Sequence, residues 1–483
     1  MKEKKSINWN LIVIAIIAST GGLLFGFDTG VISGALPFLK QSWALTTGQQ
    51  EWITTAVLVG AFLGAIFGGR LTDILGRKKI IIYTSIIFAI ASILCGISPS
   101  PAFLIVSRIL IGVAIGISSI AVPLYISEIS PAKIRGALVS SFQLMITIGI
   151  LVSYFSDLAF ADESNPFSWR WMFYVGVFPA IVLFVGMIFM PETPRWLLSK
   201  GRNEEGEKVL KKVENPSDFQ DSLKKINEEI EKDKSAARFK DIFVATWKTP
   251  IFIAIGIMFV QQFVGINTVI YYAPTIFLLA GFSGAKAAIA ATVSVGTINV
   301  LSTVVSMFLI DKLGRRKLYF IGLVGMCLSL VALGSFFFFK DTLGDSLKWA
   351  TVASILIYII FFALSLGPLG WLIISEIFPT KYRGVGVSIG SFSNWFFNAI
   401  VAFTFLKLAW LFTGEGMEIT KEVIVDGIAK TETDPNPAGA FFIYAAVAII
   451  GIIWGYKYIP ETKGKTLEEI EEHWRQGRPA NKL

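Results

Sequence analysis

The chain has 483 residues, of which 54% are hydrophobic and only 16% are charged, and its mean hydropathy is +0.65. This composition leaves too little polar surface to coat a soluble globule of that size. The net charge of +8 comes from lysines and arginines that cluster between apolar runs. Such clustering is typical of membrane topology and gives no support to nucleic-acid binding. The composition therefore predicts a membrane protein.

Twelve apolar runs are long enough to cross a bilayer, which takes about 20 helical residues at a rise of about 1.5 Å each. The first run follows Lys2, Lys4 and Lys5, as in a signal peptide, but it is too long for one and we interpret it as a retained helix. The predicted runs, called spans 1 to 12 below, are 10–39, 51–72, 80–98, 102–125, 137–160, 170–190, 250–280, 286–310, 317–339, 349–375, 385–412 and 438–459.

Three charged signatures each occur twice, in the same order. They are Asp73 to Lys79 and Asp311 to Lys317, Glu128 to Gly136 and Glu376 to Gly384, and Pro191 to Arg195 and Pro460 to Gly464. Two related halves predict an all-α membrane protein with two pseudo-symmetric six-helix bundles around a site that opens alternately to either side. The predicted bundles are residues 1–194 and 250–462, joined by a linker at 195–249 and followed by a tail at 463–483.

Lysine and arginine concentrate in the connections after spans 2, 4, 6, 8 and 10. These connections carry Arg77-Lys78-Lys79, Lys133 with Arg135, the basic-rich segment 195–248, the turn 312–317, and Lys381 with Arg383. The positive-inside rule then predicts a cell-membrane protein with both termini in the cytoplasm. Cys95 and Cys327 fall inside spans, so no disulfide framework is expected.

Two segments interrupt the apolar pattern. The linker 195–249 has Glu/Lys neighbours and apolar residues near helical spacing, which predicts short amphipathic cytoplasmic helices; a solvated linker without regular structure is the alternative. The external segment 413–437 contains Asp426-Gly427 between β-branched residues, which is a hairpin signal.

The repeated signatures place acids, bases and glycines at cytoplasmic helix ends. Glu128 lies seven residues before Arg135, and Glu376 lies seven before Arg383, so we expect ion pairs that hold one conformation closed and break in the other. Anchoring in the headgroup region, without a gating role, is the alternative. The full predicted gating set is Asp73, Arg77, Glu128, Arg135, Glu192, Arg195, Asp311, Arg315, Glu376, Arg383 and Glu461.

Together with three further motifs, these signatures resemble the sugar porters of the major facilitator superfamily, most closely the bacterial proton-coupled symporters for xylose, glucose or galactose. The motifs are Gly21-Gly22 to Asp28 in span 1, Gln261-Gln262 to Asn267 with Tyr271-Tyr272 in span 7, and Gly367-Pro368-Leu-Gly370-Trp371 in span 10. The resemblance covers nearly the whole chain, and the ordered set is highly specific. The glycine–proline motif in span 10 also predicts an irregular helix and a hinge.

Carboxamides inside apolar spans mark a candidate sugar site. An unpaired amide in a low-dielectric interior costs a few kcal/mol, so glutamine and asparagine are seldom placed there without a purpose, and they suit sugar hydroxyls. The candidates are Gln143, Gln261, Gln262, Asn267, Asn299 and Asn394. The resemblance implies that all of these except Asn394, together with Trp371, contact the sugar, with Trp395, Tyr271 and Phe25 lining the pocket. The alternative for each amide is a hydrogen bond that only joins helices.

The chain departs from the xylose symporters at two positions. Ile150 stands where those proteins have a second glutamine in span 5, and Gly176 stands where they have a carboxylate in span 6. The first change resembles glucose-transporting relatives. The identity of the sugar therefore stays open.

Asp28 in span 1 and Arg108 in span 4 are predicted to lie at similar depth, roughly 9 Å from the same membrane face. Desolvation raises the pKa of a carboxyl group and a nearby arginine lowers it. A change in the distance between Asp28 and Arg108 would therefore change the proton affinity of Asp28. The resemblance implies that an acid at position 28 accompanies proton symport. A permanent structural ion pair is the alternative.

These observations predict a monomeric transporter whose partners are a monosaccharide, the proton and the lipid bilayer, with no cofactor and no metal. A proton-independent sugar uniporter is the nearest alternative, and a sugar-sensing receptor on the same scaffold is another. An enzyme is not expected, because the single histidine, His473, lies in the tail and no nucleophile–base or metal constellation is present.

Overall fold

A computed structural model describes residues 9–131, 134–214, 216, 218–234, 245–379, 382–414, 417–425 and 428–483. In this part of the chain, twelve helical segments are long and apolar enough to span a membrane, which confirms the predicted fold class. Their bounds are Trp9–Trp43, Thr47–Leu75, Arg77–Gly96, Pro101–Ile129, Arg135–Phe160, Trp169–Phe189, Lys248–Leu279, Ala285–Leu313, Arg315–Phe338, Ser346–Ile377, Arg383–Leu411 and Ala438–Tyr458. We call the end of a span that adjoins a repeated signature its signature end.

Three of the spans are broken helices. Span 6 divides at Gly176 into Trp169–Val175 and Val177–Phe189, and span 7 divides into Lys248–Phe263 and Ile266–Leu279. The second break depends on Gly265, whose φ of 88° is in the left-handed region that glycine adopts without steric cost.

Span 10 divides at Ser365 into Ser346–Leu364 and Leu366–Ile377. Pro368 then falls in the first turn of the second helix, where its missing N–H costs nothing. The irregular helix predicted for span 10 is confirmed, with its break just before the glycine–proline motif.

The segments between and after the spans are also structured. Linker helices occupy Pro194–Ser199, Asn203–Val213 and Phe219–Lys234, as the sequence predicts, and a 3-10 turn at Ala245–Trp247 precedes span 7. The antiparallel strands β1 (Ile419–Val425) and β2 (Ile428–Asp434) pair Val425 with Ile428, while Asp426 and Gly427 lie outside the described residues. The remaining short helices are Lys340–Leu343, Leu467–Arg475 and the 3-10 turn Ala480–Lys482.

The chain forms two compact units, and the first comprises residues 1–28, 59–152 and 170–236. Its spans approach closely through glycines. A Cβ at Gly60 or Gly64 of span 2 would collide with the backbone of span 4, and one at Gly26 of span 1 would collide with the backbone of span 5. Small residues at such crossings replace the hydrophobic driving force that is missing between helices in lipid.

The second unit comprises residues 29–58, 153–169 and 237–483, so it includes one end of spans 1, 2 and 5 as well as spans 7 to 12. Two ion pairs within this unit connect first-half and second-half segments. Glu51 of span 2 accepts from the backbone N–H of Lys407 at 3.0 Å and lies 3.2 Å from its Nζ, and Lys40 pairs with Asp434 at 3.1 Å. Glu51 and Lys407 lie at the ends of spans 2 and 11 that are opposite to the signature ends of those spans.

Candidate functional site

The second unit contains a connected chain of four amides, of which Gln261, Gln262 and Asn394 are buried and Asn267 is half-buried. Asn267 Nδ2 donates to Gln262 Oε1 at 2.6 Å, and Gln262 Nε2 donates to Gln261 Oε1 at 3.2 Å. The same Gln261 oxygen accepts from Asn394 Nδ2 of span 11 at 2.9 Å. Because span 7 breaks at Gly265, residues on both of its helices can meet in one row.

Gln261 has a structural role within this amide chain. Its Nε2 donates to the carbonyl oxygens of Leu366 at 2.7 Å and Gly367 at 3.3 Å, the first two residues of the second helix of span 10. These bonds join span 7 to span 10 just after its break. Gly370 makes room for this bond, since a Cβ there would lie 2.9 Å from Gln261 Nε2. Gln261 is therefore saturated, and the hydrogen-bonding capacity left for a ligand is on Asn267, on Asn394 and on Gln262, which keeps one N–H and one acceptor lone pair.

The other predicted sugar residues of the second unit are distributed over spans 7, 8, 10 and 11. Tyr271 is buried and its hydroxyl accepts from Asn398 Nδ2 at 3.4 Å. Asn299 and Trp395 are buried, and Trp371 is half-buried. Phe25 and Gln143 belong to the first unit, where both are half-buried.

Asp28 and Arg108 meet in the first unit. Arg108 NH1 donates to Asp28 Oδ1 and NH2 donates to Oδ2, both at 3.4 Å, and both side chains are almost fully buried. The guanidinium also lies over the ring of Phe173, 5.8 Å from its centroid. The parallel fork of donors and acceptors matches the bidentate geometry of arginine–carboxylate pairs, although the distances are long for charge-assisted bonds.

The signature end of the first unit is an ion-pair network. Arg77 NH2 lies 3.0 Å from Glu128 Oε1 and 3.1 Å from Asp73 Oδ1, and Thr193 Oγ1 donates to Glu128 Oε2 at 2.6 Å. Glu192 accepts from the backbone N–H of Lys78 with both oxygens, at 3.2 and 3.1 Å. A carboxylate at this position also offsets the positive end of the helix dipole of span 3.

Burial raises the pKa of the Glu192 carboxyl above its ordinary value, while the backbone N–H groups of Thr193 and Lys78 and the nearby Arg77 act against that rise. Gly76 makes this arrangement possible. Its φ is 97°, and a Cβ there would collide with Glu192 Oε2.

The second unit repeats the same network. Arg315 donates to Glu376 at 3.2 and 2.8 Å and lies 3.6 Å from Asp311, and Thr462 donates to Glu376. Glu461 accepts from the backbone N–H groups of Arg315 and Arg316 at the start of span 9.

The partners of the two acids differ from those expected. The sequence spacing suggested Glu128 with Arg135 and Glu376 with Arg383, whereas the structure pairs these acids with Arg77 and Arg315. The reason is the tight reversal at Gly76 and Gly314, which directs the first residue of the next span towards the acid. Arg135 is exposed at the start of span 5, Nε and NH2 of Arg383 are buried without a hydrogen-bond partner among the described residues, and Arg195 is half-buried on the first linker helix.

Three charged residues at the opposite ends of the spans were not singled out from the sequence. Glu51 and Lys407 form the ion pair described above, and Asp157 of span 5 is fully buried. A charge near the end of an apolar run looks like a headgroup anchor, so the burial of Glu51 and Asp157 could not be recognised from the pattern alone.

The comparisons with known proteins agree with this architecture. The family model described as "Sugar (and other) transporter" matches residues 14–474. The galactose-proton symporter of Escherichia coli K12 is 36% identical over 100% of this chain and 98% of its own length. The arabinose-proton symporter of the same strain is 36% identical over 95% of this chain and 92% of its own.

Solved structures give the same result. The inward-open conformation of the xylose transporter XylE from E. coli aligns with a TM-score of 0.77 and 29% identity, covering 96% of this chain and 100% of that one. A D-xylose-proton symporter aligns with a TM-score of 0.74 and 27% identity, covering 94% and 99%.

The twelve-span fold and these matches define the protein as a multi-pass cell-membrane transporter and not an enzyme. The chain belongs to the sugar transporter family of the major facilitator superfamily.

Proposed function

We propose that the protein imports a monosaccharide, a pentose or hexose such as D-xylose or D-glucose, together with protons by alternating access. The observation that carries the proton coupling is the buried pair of Asp28 and Arg108, which are 3.4 Å apart at both donor–acceptor contacts. The named relatives that are galactose-proton and arabinose-proton symporters support the same reaction. The positive-inside pattern supports a cytoplasmic location for the signature ends and for both termini.

The proton affinity of Asp28 depends on its distance from Arg108. With the guanidinium in place, the ionised carboxylate is stabilised; when the pair separates in a desolvated site, the neutral acid is favoured. A proton that binds Asp28 therefore releases Arg108, and its departure on the other side restores the pair. Sugar and proton are transported together if the protein changes conformation only when it carries both of them or neither of them.

The amide chain of the second unit supports recognition of a polyol. Asn267 and Asn394 each retain a carboxamide oxygen with no hydrogen-bond partner among the described residues. Trp371 and Trp395 supply aromatic surface that suits the C–H faces of a sugar ring. We propose that the sugar hydroxyls bind Gln262 and the two ends of the amide chain, and that Gln261 keeps the break of span 10 in position. Asn299 and Tyr271 of the same unit are proposed as further contacts. For Gln143 and Phe25 of the first unit, sugar binding stays a prediction from the sequence.

The repeated signature networks support a role as gates. We propose that the set Asp73, Arg77, Glu128, Arg135, Glu192 and Arg195, with its counterparts Asp311, Arg315, Glu376, Arg383 and Glu461, changes contacts between the two states of the transport cycle.

The proposed coupling is tested with Asp28→Asn in everted or right-side-out vesicles. We expect the variant to lose protonophore-sensitive accumulation of labelled sugar and to keep exchange of labelled for unlabelled sugar, because exchange requires no net proton movement. Accumulation that persists in the variant and collapses on addition of a protonophore would overturn the proton site. Equilibration without accumulation in the unmodified protein would favour a uniporter.

A further inference from the structure

A buried carboxyl group outside the proposed coupling pair has no side-chain partner among the described residues. Asp157 of span 5 is fully buried, and no described side chain forms a hydrogen bond with either of its carboxyl oxygens. None of the ion pairs in the described part of the chain includes it either. An ionised carboxylate in such surroundings would be a bare charge in a low-dielectric interior, which proteins avoid by keeping the group neutral.

The space around this carboxyl group is shaped by span 1. A Cβ at Gly34 would collide with Cβ, Cγ and Oδ2 of Asp157, so the glycine is what lets the carboxyl group lie against the backbone of span 1. The neighbouring helix thus presents its backbone, including the N–H of Gly34, and no charged side chain to the carboxyl group. Several basic groups at the same end of the unit are paired with other acids: Lys40 with Asp434, Lys407 with Glu51, Lys340 with Asp341 and Lys348 with Asp345. Lys286 lies beside Asp162 and Glu163 of the loop that follows span 5.

Asp157 is also connected to the segment that carries the amide chain. Tyr154 lies three residues earlier on the same helix, and its buried hydroxyl donates to the carbonyl oxygen of Ile270 at 3.0 Å. Ile270 belongs to the second helix of span 7, Ile266–Leu279, which also carries Asn267 and Tyr271. A change of charge at Asp157 therefore acts one helical turn from a bond between span 5 and the candidate sugar site.

We propose that Asp157 is a second proton-binding site, separate from Asp28: it holds a proton in the described conformation and gives that proton to water when the contact between spans 1 and 5 loosens. The second part of this statement rests on the proposed transport cycle. A proton suits the site better than a metal cation, because a hard cation needs several oxygen ligands and the described residues contain no cluster of three or more His, Cys, Asp or Glu side chains.

Infrared spectroscopy of the purified full-length protein in lipid tests the protonation directly. We expect a carbonyl stretch of a protonated carboxylic acid at neutral pH that moves on exchange into D2O. The band should disappear in Asp157→Asn and persist in Asp28→Asn. Glu51→Gln is the matched control, because Glu51 is equally buried but paired with Lys407, so its removal should leave the band intact.

Two spectroscopic results would overturn the proposal: no such band in the unmodified protein at neutral pH, or a band that remains in Asp157→Asn. The first measurement needs no variant, so it decides even where Asp157→Asn fails to fold. Asp157→Ser, which is smaller and also lacks the carboxyl group, is a second variant for the same comparison.

The pH dependence of sugar exchange tests the functional part. Above the titration point of Asp157, the protonated fraction falls about tenfold per pH unit, and we expect the exchange rate of the unmodified protein to fall with it. Asp157→Asn should keep its exchange rate over the same range. Identical pH profiles for the two proteins would refute the functional part of the proposal. Sugar uptake that a protonophore does not reduce would refute only the proposed symport. The infrared result on the protonation of Asp157 would then still hold.

Discussion

Replacing Glu128 by Gln tests how much the burial of an ion pair in the signature network increases its contribution to the free energy of unfolding. Glu128 has a side chain that is 4% exposed, and it contacts Arg77, which is 10% exposed, at 3.0 Å. Removing one partner of a buried ion pair costs about 3–5 kcal/mol, because the other charge is left uncompensated. Asp73 still neutralises part of the Arg77 charge, so we expect a loss near the lower end, about 3 kcal/mol.

Two other carboxylates that pair with an arginine of the signature networks serve as matched controls. Asp73 contacts the same guanidinium at 3.1 Å, but its side chain is 70% exposed, and exposed pairs contribute only about 0–1 kcal/mol. Glu376, the counterpart of Glu128, has a side chain that is 22% exposed. The expected order of destabilisation is therefore Glu128→Gln, then Glu376→Gln, then Asp73→Asn.

The assay is thermal unfolding of the purified protein in one detergent, followed by tryptophan fluorescence, with denaturant titration to obtain the free energy of unfolding. The substitutions conserve side-chain size, so packing is changed little. Equal losses for Glu128→Gln and Asp73→Asn, or a larger loss for Asp73→Asn, would refute the argument that burial sets the contribution of this ion pair.

Three further predictions concern the second unit. Gly265→Ala should reduce the yield of folded protein, because alanine at this positive φ is strained by about 1–2 kcal/mol and its Cβ would collide with a tyrosine ring. Gly48→Ala is the control, since its Cβ would meet nothing within 4 Å, and size-exclusion chromatography compares the yields of the two variants. Asn267→Ala should weaken sugar binding by about 1–3 kcal/mol with little change in stability. Gln261→Ala should lower stability as well, because it removes the buried bonds that join span 7 to spans 10 and 11. Binding titration and thermal unfolding on the same samples separate these effects. Trp474→Phe should lower the free energy of unfolding by about 1 kcal/mol, since it removes the indole hydrogen bond of 3.0 Å to the signature end of span 10, and an unchanged value would show that the tail helix does not stabilise the unit.

Local features of the chain were readable from the sequence because they depend on composition and short-range pattern. The twelve spans follow from apolar length, and the irregular span 10 follows from Gly367 and Pro368. The meeting of Asp28 and Arg108 was predicted from depth alone, because helical rise converts residue number into position along the membrane normal. The linker helices followed from periodicity.

Contacts between spans were decided by the tertiary structure. The sequence named the amides but could not distinguish Gln261, which bonds the carbonyls of the span 10 break, from Asn267 at the end of the row. It suggested Arg135 as the partner of Glu128, whereas the reversal at Gly76 brings Arg77 there. Rotation of each helix about its axis determines these partners, and a pattern along one helix does not contain the position of its neighbours.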